Sequence, residues 1–136
     1  MREIKFRGYS KKYKRWFYGC LLIDETQKSF YIVDNMTGIA VEVEKETIGQ
    51  YTGLHDKNGK EIYEGDIVKF LNKYSDDEPR SKSKVYTFDG TPFCIDVETG
   101  EYDVITLAWA MKQNIEDVEI IGNIHDNPEL LEVKDE

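Results

Sequence analysis

The sequence predicts a mainly β fold: a meander of β-hairpins over residues 1–45, a small and strongly bent barrel over residues 46–131, one short helix near the C-terminal end, and a charged tail at residues 132–136. Three observations carry this expectation. Gly53, Gly59 and Gly65 recur at six-residue spacing within Ile48–Phe70, IGQYTGLHDKNGKEIYEGDIVKF. Asp56-Lys57-Asn58-Gly59 is turn chemistry, because Asn and Gly tolerate positive φ and an Asp side chain bonds nearby amides. Glu64-Gly65-Asp66 is a second reversal, and the β-branched run Ile67-Val68-Lys69-Phe70 that follows starts a strand. Reversals about seven residues apart force short strands, as in a small barrel.

The 136 residues suit one domain, or one domain with a small appendage. A chain of this length buries roughly two-thirds of its unfolded surface, enough to fold without a disulfide or a metal. The net charge is −9, from 18 Lys and Arg against 27 Asp and Glu. Residues 1–18 carry +6, which leaves −15 on the rest. An acidic body opposes broad coating of nucleic acid, and only the basic N-terminal end reverses that argument. Cys20-Leu21-Leu22-Ile23 is too short for a secretory core, and no run approaches the ~20 apolar residues of a membrane helix. No membrane partner is therefore expected. Cys20 and Cys94 form no metal motif and are expected as buried free thiols in a reducing cytoplasm.

Ile4–Tyr9 alternates apolar and basic residues, as a half-buried strand does. Lys11–Arg15 is a polar reversal, and Trp16–Ile23 is the returning strand. Asp24–Lys28 is a loop, Phe30–Val33 a strand, Asp34–Gly38 a turn and Ile39–Val43 a fourth strand. Glu44–Thr47 leads into the glycine-spaced stretch. Tyr74–Ser83 is charged, serine-rich and carries Pro79, so it is expected as an exposed, mobile loop. Lys84–Phe88 and Phe93–Val97 are strands around an Asp89–Pro92 turn, and Glu98–Glu101 breaks the second. Tyr102–Lys112 is the helix, with Val104, Leu107, Ala108 and Met111 at helical spacing and Asp103 as its cap. Trp109 lies off that stripe. Val118–Ile124 is the final strand, and Asn127–Leu131 a proline-started helical turn.

Few residues invite a chemical role. His55-Asp56 and His125-Asp126 are expected as solvated turn residues, since known His-Asp metal pairs sit on helices and adjacent strand residues face opposite ways. Asp56–Gly59 resembles the middle of a calcium loop, but Leu54 and Gly65 occupy its first and last ligand positions. Glu64 and Asp66 suit amide acceptors at a tight reversal better than an acid–base pair. No phosphate loop, nucleophile elbow or Cys/His cluster is present, so the sequence offers no catalytic, cofactor or metal residue and the chain is expected not to be an enzyme. Arg7, Lys11, Lys12, Lys14, Arg15 and Trp16 form the least bland group, interleaved with Phe6, Tyr9, Tyr13 and Tyr18. Cations beside stacking aromatics hold single-stranded nucleic acid. The favoured alternatives are a solvated basic face over aromatics of the core or of a subunit contact, or cations paired with the acidic body of a neighbouring chain.

Gln50-Tyr51-Thr52-Gly53-Leu54 with Asp56–Val68 resembles the hallmark of the YopX-like family of bacteriophage and prophage proteins. Ile4-Lys5-Phe6-Arg7 is similar to the family's opening, although Gly8-Tyr9 replaces the more usual Ala-Trp, and Val118–Ile124 with Asn127–Leu130 is similar to its close. The resemblance implies an SH3-type barrel and a phage or prophage gene in a bacterial host, and it brings no activity. Gln50, Tyr51, Thr52, Gly53, Asp56, Gly59, Glu64, Gly65 and Asp66 match the motif and are read as fold-determining. Together these readings lead to a cytoplasmic homo-oligomer that contacts a host or phage protein. An accessory protein binding nucleic acid through the basic hairpin is the alternative.

Overall fold

The computed structural model describes residues 3–73, 80–97, 104–113 and 115–131. The chain divides into two compact units, residues 1–53 and 54–136.

The first unit is a curled antiparallel meander. Strands β1 (Phe6–Ser10), β2 (Arg15–Asp24), β3 (Ser29–Asp34) and β4 (Ala40–Val43) lead through a 3₁₀ turn (Lys45–Thr47) to β5 (Gly49–His55). The sheet order here is β4-β3-β2-β1-β5. Phe17, Ile32, Val41 and Val43 fill the inner face, with Phe6, Leu21, Phe30 and Ile48 against them. The sheet curls enough for the Glu44 amide to donate to Tyr9 O at 2.9 Å. Close approach dictates one residue of β2: a Cβ on Gly19 would lie 1.9 Å from Val33 O, so no side chain fits there.

In the second unit β6 (Glu61–Tyr63) returns from the Asp56–Lys60 turn, closed by Asp56 N donating to Lys60 O at 2.8 Å. Two three-stranded antiparallel sheets follow. One places β7 (Asp66–Asn72) between β12 (Ile115–Asn123) and β8 (Arg80–Lys84). The other places β10 (Thr91–Asp96) between β11 (Val104–Thr106) and β9 (Tyr86–Phe88). Val68, Phe70, Val85, Ile95, Leu107 and Ile115 share one core. Ser83, only 2% exposed, joins the sheets: its Oγ accepts from the Asp96 amide at 2.8 Å. Register shifts re-aim the strands. Phe93 (φ 60°) lies in the β9–β10 shift and Asp117 (φ 54°) in the first of two β7–β12 shifts. Non-glycine residues at such φ store strain that the neighbouring ladders hold.

Several expectations need correction. Over residues 46–131 the described strands form open sheets, and no closed barrel ladder joins them. The loop expected at Tyr74–Ser83 is in part a strand: β8 pairs with β7 from Leu71↔Arg80 to Ile67↔Lys84. Its polar sequence misled because β8 is a sheet edge, where lysines are ordinary; residues 74–79 lie outside the described residues. The expected strand Lys84–Phe88 is split at Val85, whose amide donates to Asp66 O at 2.9 Å. The helix α1 covers only Leu107–Lys112, with Val104–Thr106 a strand before it. Thr106 is its cap, accepting from the Trp109 amide, whereas Asp103 lies outside the described residues. Shifting the helix start buries Leu107 and Ala110 and leaves Ala108 exposed. The final strand runs Ile115–Asn123, three residues earlier at its start than expected, and the 3₁₀ turn falls at Pro128–Leu131, while the tail and Glu98–Glu101 lie outside the described residues.

Candidate functional site

The basic N-terminal residues do not form one surface stripe. Alternation along β1 and β2 sends them to opposite faces. Arg7 pairs in register with Tyr18 and Gly49, is 6% exposed, and lies over the Trp16 ring at 4.8 Å. Tyr9 meets the same indole edge-on at 5.5 Å. Arg15 is on the other face, 4.2 Å from the Phe17 ring centroid, where Tyr13 also packs. Lys11, Lys12 and Lys14 occupy the exposed β1–β2 turn, where Lys14 takes φ 55°. Lys11 lies 3.6 Å from Glu44, and Lys12 sits over the Tyr13 ring at 5.3 Å. A groove of about 560 Å³ opens beside this turn. Lys11, Lys12, Lys28 and Lys45 line it together with Glu42, Glu44 and Glu46 over Phe30 and Val43. Both signs of charge are present, which suits a peptide better than a polyanion.

The residues of the glycine-spaced motif act as backbone chemistry. Tyr51 and Thr52 are buried, with Gln50 half-buried, and the Tyr51 amide donates to Lys5 O at 2.8 Å. Gly53, Gly59 and Gly65 all have positive φ. Asp56 is 7% exposed rather than solvated. Its Oδ1 accepts from the amides of Asn58 and Lys60, each at 2.9 Å, and its Oδ2 from Ile120 N at 3.1 Å. The Lys57 amide donates to Val118 O at 2.8 Å, on the same side of β12. The carboxylate thus occupies the position of a strand carbonyl along the free side of β12. Burial raises the Asp56 carboxyl pKa, but the three amide bonds and the nearby Lys60 charge outweigh it and hold it below the ordinary aspartate value. At the second reversal Asp66 Oδ2 accepts from Tyr63 N at 2.7 Å, Glu64 Oε2 accepts from Thr87 Oγ1 at 2.7 Å, and Gly65 O accepts from Ile124 N at 2.9 Å. His55 is exposed and His125 half-buried, and among the described residues no cluster of His, Cys, Asp and Glu could hold a metal.

One surface went unread. Register places Tyr18, Cys20 and Leu22 of β2 beside Tyr31 and Val33 of β3 and Ala40 and Glu42 of β4, on the face opposite the core. Leu22 is 49% exposed and Tyr18 39%; Ile39 and Met36, at the β3–β4 turn, are 62% and 92% exposed. Cys20 is therefore exposed, not buried as expected, because its position in the alternation faces outward; Cys94 is buried. The signal was legible in Trp16–Ile23, which is apolar at both parities, whereas a strand with one wet face alternates. No helix among the described residues is long and apolar enough to cross a membrane.

These features define a two-unit antiparallel β protein whose recognisable motif builds turns. The chain belongs to the YopX protein family, whose model matches residues 5–132. It is similar to the SPbeta prophage-derived uncharacterized protein YopX of Bacillus subtilis strain 168, with 38% identity over 76 residues. That alignment covers 54% of this chain and spans about half, 52%, of the curated relative. The crystal structure of YopX from Bacillus subtilis resembles the fold with TM-score 0.63 at 25% identity, covering 97% of this chain and 100% of that one. Protein EF1440 from Enterococcus faecalis gives TM-score 0.60 at 27% identity, with the same coverage.

Proposed function

We propose that this chain is a non-enzymatic prophage protein that works in the cytoplasm of a bacterial host as a homo-oligomer, presenting its assembled surface to a host or phage protein. The observation that carries the reading is the exposure of Cys20 and Leu22 on the outer face of β2, beside Tyr31 and Val33 of β3. Contiguous apolar surface of this kind is what a protein–protein contact covers. The curled four-strand meander, with β5 added beside β1 after a 3₁₀ turn, supports a finer architectural reading, an opened SH3-type barrel in residues 1–53 rather than after residue 46. Light scattering across a dilution series tests the self-association: the mass should exceed that of one chain. A single-chain mass at every concentration would overturn it.

The basic turn favours a second reading. Lys11, Lys12, Lys14 and Arg15 are exposed around Tyr13, itself 55% exposed, as a small single-strand contact would need. The burial of Arg7 and the acidic groove residues beside Lys11 rank it behind the first.

A further inference from the structure

Strand β4 is the edge of its sheet, and its pairing with β3 uses only half of its backbone groups. The register Ile32↔Val41 and Phe30↔Val43, with Asp34 N donating to Ile39 O at 2.9 Å, turns the amides and carbonyls of Val41 and Val43 toward β3. Those of Ala40, Glu42 and Glu44 therefore point away from the sheet. The curl uses one of them, since Glu44 N donates to Tyr9 O. Ala40 and Glu42 remain, both exposed, with two donors and two acceptors along a short open edge.

We propose that this edge is the self-association site: β4 pairs antiparallel with β4 of a second copy about a two-fold axis through Val41. It rests on the reading that the chain self-associates, and it names the surface. Complementarity selects the register. An antiparallel ladder joins only residues whose groups both point outward, so Ala40 and Glu42 must meet outward-facing residues of the second copy. With the axis at Val41, Ala40 faces the second copy's Glu42, and the reciprocal pair completes four hydrogen bonds. Moving the axis to Glu42 sets Glu42 against its own copy, like charge on like charge, and calls on the Glu44 amide that Tyr9 already holds. Moving it to Ala40 calls on Gly38, whose amide donates to Asp34 O at 2.8 Å. The Val41 axis alone satisfies every outward group without setting like charges directly opposite. It also sets Ile39, 62% exposed, opposite the second copy's Val43 on one face, so apolar meets apolar. The same direction carries the second copy's β3–β4 turn, with Met36, past Glu44 toward the groove beside Lys11 and Tyr13. An edge of three residues buries too little for a permanent dimer, and these flanking contacts supply the rest.

The test combines mass with amide exchange on the full chain. In a concentrated sample, the Ala40 and Glu42 amides should exchange at least about tenfold more slowly than in a dilute one. The Val41 and Val43 amides, held by β3, should be protected in both. Glu42→Pro removes the outward donor while leaving the β3 ladder intact, and should raise the dimer dissociation constant by about 10–100-fold. Glu42→Ala keeps that donor and should leave the constant within about threefold. A single-chain mass throughout would overturn both the functional reading and this surface. Self-association with Ala40 and Glu42 exchanging freely, or equal response to the Pro and Ala variants, would overturn the surface alone.

Discussion

Replacing Asp56 should loosen the second unit out of proportion to the size of the change. Its carboxylate accepts three amides, and these are not equal. Asn58 and Lys60 are exposed, so their amides regain water when the acceptor goes, and each loss costs about 0.5–1 kcal/mol. The Ile120 amide is half-buried along β12, and leaving it without an acceptor costs about 1–3 kcal/mol. Asp56→Ala should therefore destabilise by roughly 2–5 kcal/mol. Asp56→Asn keeps one carbonyl oxygen, enough for Asn58 and Lys60, but turns an NH₂ toward the Ile120 N–H; about 1–3 kcal/mol is expected. Urea unfolding read by tryptophan fluorescence measures this cleanly in a Trp16→Phe background, because the remaining Trp109 belongs to the second unit. The pH dependence follows from the depressed carboxyl. The folded state binds this proton less readily than the unfolded chain, so the contribution is complete above the ordinary aspartate value and is lost as pH falls through the lower folded value. The gap between the parent and Asp56→Ala should shrink on moving from pH 7 to about pH 3. Equal urea midpoints at pH 7, or a gap that does not change with acid, would refute the argument.

Gly59 sits at φ +81° with nothing within 4 Å of its missing Cβ, so the cost of a side chain there is backbone strain alone. Gly59→Val should destabilise by about 1–3 kcal/mol and Gly59→Asn by less than about 1 kcal/mol, as thermal melts will show; a Val variant melting with the parent contradicts this. Burial, a hydrogen bond to Asp96 and the charges of Asp96 and Cys94 push the Tyr86 phenol up to about 12. Its raised value makes a stabilising contribution that is present below the ordinary phenol value of about 10 and is lost as pH rises through the folded value. A tyrosinate absorbance titration should show a late component that Tyr86→Phe reduces. Anisotropy of a labelled 20-nucleotide single strand should show no submicromolar binding at physiological salt. If binding occurs, neutralising about four phosphates gives a slope near −3 in log K against log salt, and Lys11→Ala with Lys12→Ala should reduce it.

What the sequence made legible was the chemistry that is local in the chain. The Asp56–Gly59 turn, the Glu64-Gly65-Asp66 reversal and the Pro128 turn each carry their own hydrogen-bond acceptors or fixed φ within a few residues. What it hid was set by partners far away in sequence. Strand β8 reads as a loop because Arg-Ser-Lys-Ser-Lys has no apolar face, yet the backbone of β7 needs only its amides and carbonyls. The α1 start is set where Leu107 and Ala110 reach the shared core, three residues after helical spacing begins. The bulges at Phe93 and Asp117 leave no compositional mark, since neither residue is the glycine that such φ values favour.

The candidate site divides in the same way. The motif is the most recognisable stretch, but bonds inside the chain engage its carboxylates: both oxygens of Asp56, Oδ2 of Asp66 and Oε2 of Glu64. An acid–base pair needs carboxyls poised against a substrate, and these are poised against amides and a hydroxyl. The recognisable residues are therefore not those that the proposed self-association uses. The surface offered outward is Leu22, Tyr18 and the β4 edge, where sequence shows only an apolar run at both parities and four residues too short to declare an edge. Edge status depends on which strand is absent beside it, which no local pattern encodes. The spent groups of β1 and the unspent ones of Ala40 and Glu42 become distinguishable only once the register is known, and that difference separates a closed barrel from a pairing surface.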